Sequence, residues 1–150
     1  MKVLMVEDDK YKSQAISKYL DSLPEHFDID IEESLNSGLF KLEECHFDLI
    51  ILDMSMPSFD ISKSDPSGGA PESFAGKEFL SHMSLIGKTI PVIIVTQYDS
   101  FGPDEQQTSL NTLKKNLQIE YPQLYKASVY FSIKSDEWKR ALLDALKGII

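Results

Sequence analysis

The chain alternates short β-rich apolar runs with helical stripes, strand then helix, five times over. That order predicts an α/β domain, a parallel sheet sandwiched between layers of helix. Three observations carry the prediction. Val3-Leu4-Met5-Val6, Phe47-Asp48-Leu49-Ile50-Ile51-Leu52 and Pro91-Val92-Ile93-Ile94-Val95 are nearly unbroken apolar runs, as strands covered on both faces require. Between and after them, apolar residues recur at helical spacing. At 150 residues, with 42% hydrophobic and 26% charged residues, the chain suits a single domain with its own core.

The elements follow in order. After the first strand, Ile16, Tyr19, Leu20 and Leu23 mark a helix that Pro24 stops. Phe27, Ile29 and Ile31 alternate with acids, which predicts a half-exposed second strand at a sheet edge. Ser34 offers an N-cap to a helix striped by Leu35, Leu39 and Leu42, with Gly38 a local weakness. The Phe47 and Pro91 runs supply the third and fourth strands. Val129-Tyr130-Phe131-Ser132-Ile133 reads as the fifth. The final helix has the clearest period, with Trp138, Ala141, Leu142, Ala145, Leu146 and Ile149 on one face.

Two stretches interrupt the regularity. Residues 58–75 hold Pro66, Gly68, Gly69 and Pro71 among serines and acids, without a sustained period. They read as an insertion loop, longer than the usual connection of about 2–6 residues. Residues 102–126 read as an extended fourth-helix region, where Pro103 suits a first turn and Leu110, Leu113, Leu117 and Tyr121 form the stripe.

Charge and composition exclude several roles. The formal charge of −9 argues against nucleic acid or an anionic membrane as a partner. Cys45 is the single cysteine, so neither an internal disulfide nor a cysteine zinc site is available, and a reducing, cytoplasmic compartment is expected. His26, His46 and His82 have no metal-ligand spacing. No apolar run approaches the roughly 18–20 residues of a membrane span, and the opening lacks the layout of a signal peptide.

Ligands of such sheets bind beyond the carboxyl ends of the strands. There the first strand exits into Glu7-Asp8-Asp9, the third into Asp53, the fourth into Thr96 and the fifth into Lys134. Acids so gathered repel one another and call for a cation, and an all-oxygen donor set favours Mg²⁺. Asp53 could then attack phosphorus, with Thr96 and Lys134 binding the remaining phosphoryl oxygens.

The segments Val3–Asp9, Asp48–Pro57 and Pro91–Thr96 resemble the receiver (response regulator) domain of two-component signal transduction, and the resemblance spans the chain from Met1 to the final helix. It implies a flavodoxin-like five-stranded sheet of order 2-1-3-4-5 with helices on both faces. It further implies Asp53 as phosphoacceptor, with Mg²⁺ (or Mn²⁺) held by Glu7, Asp8, Asp53 and the backbone carbonyl of Ser55. Thr96 would be the switch hydroxyl, Phe131 the aromatic moving with it, and Lys134 the phosphoryl-binding ammonium. The donor would be a sensor histidine kinase or histidine phosphotransfer protein of a bacterial phosphorelay. Output would be by contact with a protein target, with a homodimer left open and no enzymatic turnover beyond self-phosphorylation and self-dephosphorylation. The chain departs from the pattern in its two insertions and in Ser135, which stands where a proline normally follows the lysine. A pseudo-receiver that signals without phosphorylation is the alternative. An aspartate-nucleophile phosphatase would want an acid where Ser55 stands.

Overall fold

The computed structural model describes residues 1–59, 71–72, 74–102 and 107–150. Five parallel strands form the central sheet: β1 (Lys2–Val6), β2 (Asp28–Glu32), β3 (Leu49–Leu52), β6 (Val92–Thr96) and β9 (Tyr125–Tyr130), in the order β2-β1-β3-β6-β9. Four two-residue strands make two antiparallel ribbons, β4 (Met56–Pro57) with β5 (Pro71–Glu72), and β7 (Ser100–Phe101) with β8 (Thr108–Ser109). Taking only the five long strands, the order is 2-1-3-4-5, the doubly wound arrangement that the sequence predicts.

Burial follows from strand parity. Leu4, Val6, Ile50, Leu52, Val92 and Ile94 point to one side, against α2 (Leu35–Glu44), α3 (Ala75–Leu85) and α4 (Leu110–Glu120). Val3, Met5, Leu49, Ile51, Ile93 and Val95 point to the other, against α1 (Lys10–Asp21) and α5 (Glu137–Lys147). Two sealed faces explain why β1, β3 and β6 contain no alternation: after Lys2, which opens β1, every side chain in them is buried. Ser34 caps α2 as its position predicts, accepting from the Ser37 N–H at 3.2 Å while Ser37 Oγ accepts from the Ser34 N–H. Among the described residues no helix is long and apolar enough to cross a membrane.

The structure corrects two boundaries. The fifth strand is Tyr125–Tyr130, four residues earlier at its start than the Val129–Ile133 run. The ladder sets it, since Val95 lies beside Val129 and Thr96 beside Tyr130. Phe131 owes its burial to the Trp138 ring, 5.0 Å away, and Ile133 stands 71% exposed. An apolar run had been produced by residues that belong to the loop. In the 102–126 region the helix begins at Leu110, capped by Ser109, whose side chain accepts from the Thr112 N–H. Pro103 lies outside the described residues, as does most of the 58–75 stretch, whose flanks join as the β4–β5 ribbon.

Gly38 is a close-approach residue. A Cβ there would sit 2.8 and 2.9 Å from the Val6 methyls and 3.2 Å from the Phe79 ring, so α2 lies against β1 only because the side chain is missing. Helix propensity alone would favour alanine by up to about 1 kcal/mol. Overpacking a sealed interface costs about 1–3 kcal/mol and wins. Gly38→Ala is therefore expected to lower the urea midpoint of unfolding. An unchanged or raised midpoint would show that Val6 and Phe79 give way.

Candidate functional site

The three central strands end at one edge, and the ladder continues one residue past them. The Asp53 N–H donates to the Val6 carbonyl at 3.0 Å, and the Glu7 N–H to the Glu32 carbonyl at 2.9 Å. This fixes both backbones before any side-chain chemistry is considered. Asp53 and Glu7 are each 3% exposed, while Asp8 faces solvent. One carboxylate oxygen from each of Glu7, Asp8 and Asp53 lies within 4.8 Å of the others. Asp9 does a different job: its Oδ1 accepts from the Lys12 N–H at 3.1 Å and caps α1. The run of three acids thus divides into two site carboxylates and one cap.

α3 presses on the same edge. The Gly76 N–H donates to the Met54 carbonyl at 3.0 Å, and a Cβ on Gly76 would lie 2.8 Å from the Asp53 carbonyl oxygen. Ser55, half-buried, follows Met54 in the loop leaving Asp53.

A cation absent from the sequence-based site completes the cluster. The Lys12 side chain is fully buried, with Nζ 2.8 Å from Glu7 Oε2 and 3.3 Å from Asp53 Oδ1. Lys134, assigned this kind of role from sequence, is exposed on the loop after β9, its own N–H held by Ser132 Oγ at 3.2 Å. Among the described residues the ammonium at Asp53 comes from α1. β9 ends at Tyr130, and Lys134 follows four residues later in the loop. A signal for Lys12 was present in the sequence. Lys12, Ile16 and Leu20 stand at i, i+4 and i+8, so the buried stripe of α1 runs through the lysine.

Thr96 is fully buried at the end of β6, its Oγ1 accepting from the Tyr98 N–H at 3.2 Å. Its carbonyl accepts from the Phe131 N–H at 2.7 Å. Phe131 itself is sealed against Trp138, on the α1–α5 side. The ring directly across the ladder from Thr96 is Tyr130, 49% exposed.

Three carboxylates and one ammonium leave excess negative charge in a site where two of the acids, Glu7 and Asp53, are shielded from water. Burial, and then the Asp53 charge, push Glu7 from its usual 4.5 up to about 8, with Lys12 pulling the other way. Burial raises Asp53 against the same lysine, and burial together with Asp53 raises Asp8. Asp53 Oδ1 is buried without a hydrogen bond, although the ammonium is near. A divalent ion held by Glu7, Asp8 and Asp53 would offset the surplus charge, and the all-oxygen donor set suits a hard one.

Proton linkage gives a test. A carboxyl with a raised pKa binds more protons folded than unfolded, so its contribution is full below about pH 4.5 and is lost as pH rises through about 8. In chelator, unfolding free energy from urea melts should therefore fall from pH 6 to pH 8, and the fall should flatten in Glu7→Gln. Added Mg²⁺ should stabilise more at pH 8 than at pH 6. A wild type that gains stability over that interval in chelator would contradict the charge balance described.

No protein-family model matches the chain. Among curated proteins, the uncharacterized protein y4jR of Sinorhizobium fredii is 30% identical over 145 residues, covering 97% of this chain and 96% of that protein. The Detocs response regulatory protein DtcB of Enterobacter cloacae is 29% identical over 144 residues, covering 95% and 96%. The solved CheY-like receiver domain from Methanospirillum hungatei superposes with a TM-score of 0.64 at 20% identity, over 98% of this chain and 90% of that one. The response regulator TrrA of Thermotoga maritima, solved in complex with Mg²⁺ and BeF, gives 0.59 at 20% identity, over 97% and 98%. The Mn²⁺-bound form of response regulator Rcp1 gives 0.65 at 16% identity, over 97% and 91%. Relatives that match end to end and a sheet of the same order agree with the acid cluster at its carboxyl edge: the chain belongs to the receiver-domain family of response regulators.

Proposed function

We propose that this receiver domain accepts a phosphoryl group on Asp53 from a phosphohistidine donor, a sensor histidine kinase or a histidine phosphotransfer protein, in a divalent-metal-dependent reaction. One observation carries the reading: Asp53, 3% exposed, directly follows the central strand β3 and sets a carboxylate oxygen within 4.8 Å of one from each of Glu7 and Asp8. A carboxylate placed there is available as a nucleophile.

Glu7, Asp8 and Asp53, with the Ser55 backbone carbonyl, are the groups that would hold Mg²⁺ or Mn²⁺. When bound, the ion supplies positive charge to the phosphoryl oxygens and offsets the repulsion among the acids. The chain's own residues do the rest. The Asp53 backbone, fixed on Val6, holds its carboxylate beside those of Glu7 and Asp8. A carboxylate oxygen forms a bond to phosphorus as the P–N bond to the donor imidazole breaks, and that nitrogen keeps the electron pair. Thr96 has one O–H to donate and already accepts from Tyr98, so a new phosphoryl oxygen recruits its proton without costing it an existing donor. The Tyr98 N–H, which donates to the same hydroxyl, is the first neighbour that such a shift would move. Output by contact with another protein follows from a surface altered at these positions.

A binding module that signals without phosphorylation is the second reading, favoured by an ammonium already seated against Asp53. Intact mass after acetyl phosphate and Mg²⁺ separates the two. Wild type is expected to gain a single phosphoryl group and Asp53→Ala none. Thr96→Ala is expected to keep the mass gain and lose the accompanying change in hydrogen exchange around Tyr98 and Phe131. A wild type with unchanged mass, beside a control receiver that is modified, would establish the second reading instead. A mass gain surviving in Asp53→Ala would remove Asp53 from its role.

A further inference from the structure

The cation at Asp53 is the least expected feature of the site. A lysine is the side chain least often sealed away from water, and Lys12 occupies a position on the α1 stripe where an apolar residue would pack at no electrostatic cost. It also stands in the first turn of a helix, where the helix dipole disfavours a positive charge. Both penalties are offset only by the two carboxylates it touches, Glu7 at 2.8 Å and Asp53 at 3.3 Å. Its ammonium bridges a metal-side acid and the nucleophile, while Lys134 stands in solvent.

We infer that Lys12 is the ammonium that binds the transferred phosphoryl group, and that before transfer it competes with the divalent ion for Glu7 and Asp53. The inference rests on the reading of Asp53 as phosphoacceptor. With acetyl phosphate, an Asp53 oxygen bonds to phosphorus, the bond from phosphorus to the acetyl oxygen breaks, and acetate leaves with the electron pair. No proton or electron is consumed from outside. The singly charged carboxylate becomes an acyl phosphate, a mixed anhydride bearing a doubly charged phosphoryl group, so the pocket gains a negative charge. Lys12, already 3.3 Å from Asp53 Oδ1, meets that charge by leaving the carboxylate for a phosphoryl oxygen.

The two halves of the inference predict opposite signs, which a merely structural lysine would not give. Lys12→Met should slow phosphorylation by acetyl phosphate at saturating Mg²⁺ by about 100-fold, the usual order for losing one charge-stabilising donor. The same variant should bind Mn²⁺ more tightly in a calorimetric titration, because a competing charge has gone. Lys12→Arg should recover part of the rate, and Lys134→Met should lose less than Lys12→Met. Metal binding weakened together with the rate, in a variant that keeps the wild-type circular dichroism, would overturn the inference. So would a larger loss in Lys134→Met. If Lys12→Met does not fold, Lys12→Arg, checked by circular dichroism, decides, since the arginine retains the charge: a rate below that of Lys134→Met supports the inference, and a rate above it overturns the inference. A wild type that takes no phosphoryl group would overturn the phosphoacceptor reading, while the Mn²⁺ titration of Lys12→Met would still read the competition.

Discussion

Three carboxylates held at the mouth of a parallel sheet constrain almost everything around them. Their repulsion is strong because two are nearly dry, and dryness is imposed by the fold: β1 and β3 end where helices cover both faces. Relaxing the cluster would mean peeling Asp53 from Val6 or lifting α3 from Met54, and both contacts are backbone hydrogen bonds at 3.0 Å. The backbone cannot yield cheaply, so charge must be balanced from within. Lys12 supplies part of that balance, and a divalent ion would supply the remainder.

How far this was legible in the sequence depended on what each residue owed to its neighbours. β1, β3 and β6 were readable because two covered faces force unbroken apolar runs. α5 was readable because only one of its faces is buried, by Trp138, Leu142 and Leu146. β9 was misplaced because an edge strand pairs on one side only and tolerates Lys126, Ala127 and Ser128. Phe131 and Ile133 imitated a strand for unrelated reasons, one stacked on Trp138 and one exposed. At the site, Glu7, Asp8 and Asp53 could be picked out because acids follow two buried strands at once, where either alone reads as a solvated turn or a helix cap. Lys12 was hidden by its charge: a lysine in a stripe is ordinarily discounted as a solvated residue, and only the ion pairs reveal that this one faces inward.

The two ribbons that interrupt the regular pattern are attached to the site. β4 begins three residues after Asp53, and β7 four residues after Thr96. They are not independent decorations. Phe74, which opens α3 after the first ribbon, lies 6.2 Å from the ring of Phe101 in the second. Phe101 in turn meets Tyr98 edge-on at 6.4 Å, and the Tyr98 N–H is the donor to Thr96 Oγ1. Phe101 is 3% exposed and packs with Leu110 and Leu113 of α4 in the larger core cluster.

A change at Thr96 therefore has two routes outward, and their stiffness differs. Through its carbonyl it holds Phe131, which is wedged against Trp138 in a sealed cluster, so that route moves α5 as a packed body or scarcely at all. Through its hydroxyl it holds Tyr98, whose ring is about half exposed and free on one side. A hydroxyl drawn toward a new oxygen shifts Tyr98 at little packing cost, and Phe101 and Phe74 are next in contact. On the proposed reading, a displacement at Thr96 would meet least packing resistance toward the ribbons and the starts of α3 and α4. Those are the places where this chain departs most from the short loops of a plain doubly wound domain.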